Sequence, residues 1–178
     1  IKKSLDKDTV NYDQMRYEGF GPNGTSIIVE ALTDNRNRTA SNVRSAFQKF
    51  GGSMGETGSV SHAFNHYGFV RYNKDVTSEE DFFNFSIEGG AEDCFIEEDT
   101  YEAVSTPETL SNLYNYLDKK FGEPVSSGFQ WKPVTYVAIE GDKLKSLINL
   151  LNELDNDEDV QQVFSNFEAS DEELAKFA

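Results

Sequence analysis

Residues 32–60 read LTDNRNRTASNVRSAFQKFGGSMGETGSV, and this stretch decides how the first part of the chain folds. Its apolar residues recur at helical spacing, and Asp34 and Asn35, just before them, are good helix N-cap residues. Gly51 and Gly52 follow the last apolar position, Phe50, as is typical of a helix end. The sequence therefore predicts a helix that starts near residues 35–37 and ends at Phe50, followed by a flexible glycine-rich loop.

The charge of this helix differs from that of the rest of the chain. Residues 33–52 carry a net charge of +3, whereas the whole chain carries −16, which leaves −19 for the remainder (−16 − 3). Arginines beside the free backbone N–H groups of a helix N-terminus favour a bound phosphate. The alternative is that these arginines pair with the chain's own carboxylates. The candidate nucleic-acid-binding residues are Arg36, Asn37, Arg38, Arg44 and Lys49.

A hairpin is expected before this helix, because residues 12–18 and 25–32 both have strand character. The residues between them, from Gly19 to Gly24, match the spacing of a dinucleotide-binding glycine motif. That motif has to open a helix, whereas the residues from Thr25 onward are of β type. Pro22, Asn23 and Gly24 are turn formers, so the sequence predicts a β-turn instead.

The order of elements from residue 67 to residue 131 is βαββαβ, the ferredoxin-like pattern. A short strand at 136–139, a leucine-striped helix at 144–154 and a strand at 160–167 follow it. We therefore predict an α+β fold of two α+β domains, in which a ferredoxin-like domain (66–133) is inserted into another formed by 1–65 and 134–178. An alternative closes a ferredoxin-like unit from Tyr101 to Phe167 instead.

Composition narrows the class of protein. No apolar run approaches 18 residues, so no membrane span and no membrane partner are expected. A single cysteine, Cys94, excludes an internal disulfide and fits a reducing, cytoplasmic location. A net charge of −16 argues against strong unaided binding to nucleic acid and fits a basic protein partner. The first residues, 1–7, resemble the tail of a helix, which suggests a fragment that lacks an N-terminal domain.

Residues that could support catalysis or metal binding do not assemble into a known signature. His62 and His66 have helical i, i+4 spacing but lack the glutamate of a zinc motif. The acidic loop 155–159 lacks the glycine and the final glutamate of a calcium loop. Cys94 has acidic neighbours and no histidine nearby in sequence, which favours a buried structural cysteine. We therefore expect no enzyme activity, no catalytic residues, no metal and no cofactor.

Seven strings carry a resemblance to a known family. They are YEGFGPNG (residues 17–24), NRNRT (35–39), VR (43–44), GG (51–52), GSV (58–60), GAED (90–93) and DVQQVFSN (159–166). In this order and spacing the chain resembles the YebC/PmpR family of bacterial transcriptional regulators, which also includes a mitochondrial translational activator of cytochrome oxidase. The first string is closest to the YeeN-like branch.

The resemblance implies three domains: a helical N-terminal domain, which we expect to be missing here, and two α+β domains, one ferredoxin-like and inserted in the other. It implies a non-enzymatic, DNA-binding regulator of transcription. Two other hypotheses remain: a translation factor on the ribosome that contacts ribosomal RNA and ribosomal proteins, and an enzyme. Nucleic-acid binding is expected to depend mainly on the missing domain, with residual contacts through Arg36, Arg38, Arg44 and Lys49.

Overall fold

The computed structural model describes residues 11–177, so the expected helix tail at the start of the chain lies outside the described residues. The strands are β1 (Asp13–Phe20), β2 (Ser26–Thr33), β3 (Ser53–Met54), β4 (Phe64–Asn73), β5 (Asp93–Ile96), β6 (Thr100–Ser105), β7 (Ser126–Pro133), β8 (Val137–Ala138), β9 (Val160–Ser165) and β10 (Phe167–Glu168). The helices are α1 (Arg36–Lys49), α2 (Glu79–Glu88), α3 (Leu110–Phe121), α4 (Gly141–Asn156) and α5 (Asp171–Ala175).

The chain forms two compact units, and the predicted α+β fold is confirmed. Among the described residues, the first unit, which we name the split unit, consists of residues 11–65 and 133–177, and the second, the inserted unit, of residues 66–132. No helix within residues 11–177 is both long and apolar enough to cross a membrane.

The split unit is built on a four-stranded sheet of order β3-β1-β2-β9. β1 and β2 form the expected antiparallel hairpin, and its turn places Asn23 at φ +63° and Gly24 at φ +73°. β9 pairs with β2, so the late strand joins the first hairpin. α1 and α4 bury their apolar stripes in the core of this unit, including Phe47 of α1.

The inserted unit has the strand order β5-β6-β4-β7, with α2 and α3 as the connecting helices. This is the ferredoxin-like arrangement. Its core joins Val70, Phe82, Ala103, Leu113 and Leu117. The alternative unit from Tyr101 to Phe167 is wrong, because β6 pairs with β4 and β5 while β9 belongs to the other sheet.

Three local predictions differ from the structure. The i, i+4 spacing of His62 and His66 indicates a helical segment, but only Ser61–Ala63 form a 3-10 turn and β4 begins at Phe64. His62 and His66 therefore do not share a helical face, and the His66 ring instead stacks on Trp131 with centroids 4.2 Å apart. Cys94 is half-buried rather than buried, and burial raises the pKa of its thiol.

The last predicted strand is interrupted at Asn166. The Oδ1 atom of Asn166 accepts a hydrogen bond from the Ser26 backbone N–H at 2.7 Å, and its Nδ2 donates to the Thr135 carbonyl at 3.1 Å. This buried amide ties the end of β9 to the start of β2, and β10 then pairs in parallel with β8.

Glu18 is a buried carboxylate that sequence patterns did not reveal. Its carboxylate accepts hydrogen bonds from the backbone N–H groups of Gly58, Val60 and Ser61 at 2.8–3.0 Å and pairs with Arg16. Part of the predicted flexible loop is therefore pinned to β1.

Glu102 is a second buried carboxylate, on β6 of the inserted unit. It forms ion pairs with Arg71 and with Lys132, and it accepts a hydrogen bond from Gln130. The side chain is almost fully excluded from solvent. Three partners from the two strands β4 and β7 thus converge on one carboxylate.

Candidate nucleic-acid interface

The start of α1 is fixed by hydrogen bonds that its sequence predicts. The Asn35 side chain accepts the Arg38 backbone N–H at 3.1 Å, so Asn35 is the N-cap residue. The Thr33 hydroxyl accepts the Asn35 backbone N–H at 2.9 Å, and the oxygens of the Thr33 and Thr39 hydroxyls lie 2.7 Å apart, within hydrogen-bond distance. These contacts tie the start of α1 to Thr33 at the end of β2.

Arg38 is held by carboxylates of its own chain. Its Nε and Nη2 donate to the two carboxylate oxygens of Asp159 at 3.0 and 2.8 Å, and Nη2 also donates to Asp34 at 2.9 Å. The Asp159 side chain is only 12% exposed and also accepts the Thr39 hydroxyl at 2.7 Å. The hydrogen bonds from Asp159 and then Asp34 raise the pKa of Arg38, so the guanidinium stays charged. Arg38 therefore anchors α1 to the acidic loop before β9.

Arg36 and Lys49 are paired more loosely. Arg36 Nε donates to Asp13 at 3.0 Å with 64% of its side chain exposed, and Lys49 Nζ donates to Glu153 at 3.0 Å with 63% exposed. Exposed pairs of this kind contribute about 0.2–1 kcal/mol, because solvent screens both charges. A phosphate group can therefore compete for either cation.

Arg44 and Asn37 lie on the side of α1 that faces away from the core. Within residues 11–177 no carboxylate pairs with Arg44, and both side chains are exposed. At 100° per residue, Asn37, Ser41, Arg44 and Gln48 fall on one stripe of the helix. All four are exposed, and we name this stripe the α1 outer face. Ser41 and Gln48 were missed, although their spacing from Asn37 in the sequence was the signal.

The predicted set of five residues is therefore not a uniform cationic patch. Three of its four cations, Arg36, Arg38 and Lys49, pair with four carboxylates: Asp13, Asp34, Glu153 and Asp159. The local charge with these partners is zero rather than +3. The structure brings Asn37 and Arg44 together on the outer face. Arg38 and Lys49 point instead to carboxylates outside α1.

The fold and this helix define the class: an α+β protein with an inserted ferredoxin-like unit and an exposed polar helix face. Residues 12–167 match a family model named for transcriptional regulators and described as TACO1/YebC second and third domain. The chain belongs to the TACO1/YebC family, which is a regulatory one, and the resemblance drawn from the seven strings is confirmed.

A solved structure shows the same fold. The crystal structure of a conserved hypothetical protein from Aquifex aeolicus is 36% identical in sequence and superimposes with a TM-score of 0.81. The match covers 93% of this chain and 69% of that chain. At this identity and coverage, the shared fold extends across both units.

Proposed function

We propose that this chain is a non-enzymatic, cytoplasmic regulator of gene expression that contacts DNA through the α1 outer face to control transcription. The observation that carries the proposal is the stripe of Asn37, Ser41, Arg44 and Gln48. Asn, Gln, Ser and Arg are the side chains that hydrogen-bond base edges, and the major groove admits an α-helix. In this proposal the split unit is the family's second domain and the inserted unit its third.

The charges of α1 limit how strongly it binds. Arg44 together with the exchangeable Arg36 and Lys49 offers about three phosphate contacts, since Arg38 is committed to Asp159. Three contacts give a logarithmic salt slope of about −3, which is about a fortyfold loss of affinity between 50 and 200 mM salt. The body's charge of −16 adds repulsion, so a strong complex requires base contacts as well.

The test is a gel shift of this chain on a pool of random 20-base-pair duplexes, followed by selection of the bound sequences. We expect Arg44→Glu to weaken binding about tenfold or more, because it replaces an attraction to phosphate with a repulsion. Lys145→Glu is the matched control, since Lys145 is an exposed cation on α4 of the same unit. An equal loss for both variants, or no enriched sequence, would contradict DNA reading by α1.

A second candidate is a ribosome-associated translation factor, and the compensated charge of α1 favours it. A helix whose cations already meet carboxylates suits a surface that supplies both phosphates and basic groups, as ribosomal RNA and ribosomal proteins do. Sedimentation of this chain with ribosomes at physiological salt separates the two candidates. Cosedimentation that Arg44→Glu abolishes, without a gel shift on DNA, would select the ribosome.

A further inference from the structure

An apolar groove lies between α2 and β5 of the inserted unit. We name it the α2–β5 groove; it has a volume of about 410 Å³ and is lined by Glu79, Glu80, Phe83, Cys94 and Ile96. Phe83 is 49% exposed and Ile96 is 41% exposed. Ile87, which is 43% exposed, follows Phe83 by one helical turn and extends the apolar stripe on α2. Large apolar side chains clustered at this exposure are typical of an interaction surface.

The floor of this groove is an open strand edge. β5 is the terminal strand in the order β5-β6-β4-β7, so within residues 11–177 no strand pairs with its outer edge. The Glu97 N–H donates to the Thr100 carbonyl, which makes 97 and 100 a hydrogen-bonded pair. Pairs alternate along an antiparallel ladder, so the backbone groups of Cys94 and Ile96 point away from β6.

The hydrogen bonding of Cys94 agrees with this register. Its backbone N–H donates to the Asp93 carboxylate at 2.8 Å and not to β6, as expected for a group that points away from that strand. Cys94 and Ile96 also line the groove with their side chains. A strand added at this edge would therefore hydrogen-bond to the backbone of Cys94 and Ile96. Its side chains would contact the side chains of the same two residues.

The surroundings of the groove are acidic. Residues 79–99 contain nine carboxylates and no lysine or arginine, a net charge of −9 in a chain of −16. None of these nine forms an ion pair with any residue that the structure describes. The carboxylates of Glu79 and Glu80 stand at the groove itself, and those of residues 97–99 stand where β5 ends.

We propose that the α2–β5 groove binds an extended segment of a basic partner protein, in which lysine or arginine alternates with apolar residues. The segment adds to β5 as an outer strand, and its apolar side chains enter the groove against Phe83 and Ile96. Its cations lie among the unpaired carboxylates around the groove. Four strand residues span about 13 Å, which sets the segment at four to six residues.

The negative charge around the groove distinguishes among the ligands that could bind at the open edge of β5. A second copy of this chain would bring nine further carboxylates to the same place, and nucleic acid would bring phosphates. Both are repelled. A basic strand gains main-chain hydrogen bonds and breaks no ion pair of these nine carboxylates; it replaces only the bond from the Cys94 N–H to Asp93, whose carboxylate is then available to a cation.

The experiment uses a fluorescent eight-residue peptide that alternates lysine and valine, titrated into the isotope-labelled chain. Amide chemical shifts and hydrogen exchange report where it binds. We expect shift changes concentrated in residues 79–99 and slower exchange of the Ile96 amide. A peptide with proline in place of a central valine should bind at least tenfold more weakly, because it cannot complete the ladder.

The decisive variant is Glu79→Lys with Glu80→Lys, which we expect to weaken binding at least tenfold. Its matched control is Asp171→Lys with Glu172→Lys, since both pairs follow a serine N-cap in the first turn of a helix. Equal losses for the two variants, or equal binding of the proline peptide, would overturn the proposal. So would a dimer, or a bound DNA duplex, whose shifts map to β5.

Discussion

Charged side chains are paired differently on helix α1 and around the α2–β5 groove. At α1, Arg36, Arg38 and Lys49 are paired with carboxylates from other parts of the split unit. Around the groove, nine carboxylates have no cation among the described residues. The chain has 32 carboxylates against 16 cations, so carboxylates are in excess. The charge left for partners is therefore mostly negative, and it is concentrated beside an open strand.

The largest effect is expected from a carboxylate that does have cations. Glu102→Ala leaves Arg71 and Lys132 without their shared partner in a largely buried position, which should cost about 3 kcal/mol of unfolding free energy. Urea denaturation measures this change. Glu98→Ala, in the exposed turn after β5, is the matched control and should change stability by less than about 0.5 kcal/mol. If both variants lost the same unfolding free energy, the buried, ion-paired Glu102 would not differ in its contribution from the exposed Glu98, which would contradict this prediction.

Acid should unfold the protein through the same buried groups. Burial alone raises the pKa of Glu102, but Lys132 and Arg71 outweigh it and hold that pKa below its ordinary value. At Glu18, burial is likewise outweighed by the N–H groups of Gly58, Val60 and Ser61 and by Arg16, so its pKa is also lowered.

A carboxylate whose pKa is lower in the folded than in the unfolded state stabilises the fold above its unfolded pKa of about 4.5, and this stability is lost as pH falls through the folded value. Urea midpoints should therefore stay nearly level from about pH 7 to 5 and fall steeply below. Glu18→Gln should flatten the acid limb. An acid limb unchanged in that variant would show that Glu18 is not responsible.

A smaller effect is expected at the start of α1. Asp159→Asn removes the charge that holds Arg38 and weakens the acceptor of the Thr39 hydroxyl, so the melting temperature should fall by about 3–5 °C. Asp13→Asn is the control, because its pair with Arg36 is exposed and its loss should shift the melting temperature by less than about 2 °C. If Asp13→Asn lowered the melting temperature more than Asp159→Asn, then Asp13 rather than Asp159 would be the carboxylate that anchors α1.

The smallest effect is expected next to the groove. Glu98→Lys replaces one of nine neighbouring carboxylates by a cation, so repulsion among them should ease and the melting temperature should rise slightly. Salt at about 1 M should abolish the rise, since it screens exposed charges to about 3 Å. A rise that persists in high salt would have a cause other than charge.

Helix-capping and helix-ending residues, together with the spacing of apolar residues, predict most of the fold, whereas they do not predict the ion pairs at the start of α1. Asn35 and the Gly51–Gly52 pair bracket α1 in the sequence, and the helix runs from Arg36 to Lys49 as they indicate. Local signals of this kind also gave the βαββαβ order of the inserted unit. They failed at His66, because a four-residue spacing carries no meaning in a segment that is already extended.

Contacts between distant residues were beyond such reasoning. Arg38 and Asp159 are 121 residues apart in sequence, and Glu18 meets the backbone of Val60 across 42 residues. No local pattern marks which of 32 carboxylates reaches α1, so the count of +3 overstated its positive charge. The α1 outer face could have been predicted from the sequence, because Ser41 and Gln48 follow Asn37 at helical spacing.

The central claim is that ligands of opposite charge bind to different parts of this chain. The most direct test is one amide-shift map of the isotope-labelled chain, recorded with a 20-base-pair DNA duplex and again with the lysine–valine peptide. The duplex should perturb Asn37, Ser41, Arg44 and Gln48, and the peptide should perturb residues 79–99. Overlapping maps, or DNA-induced shifts at the groove, would contradict the account.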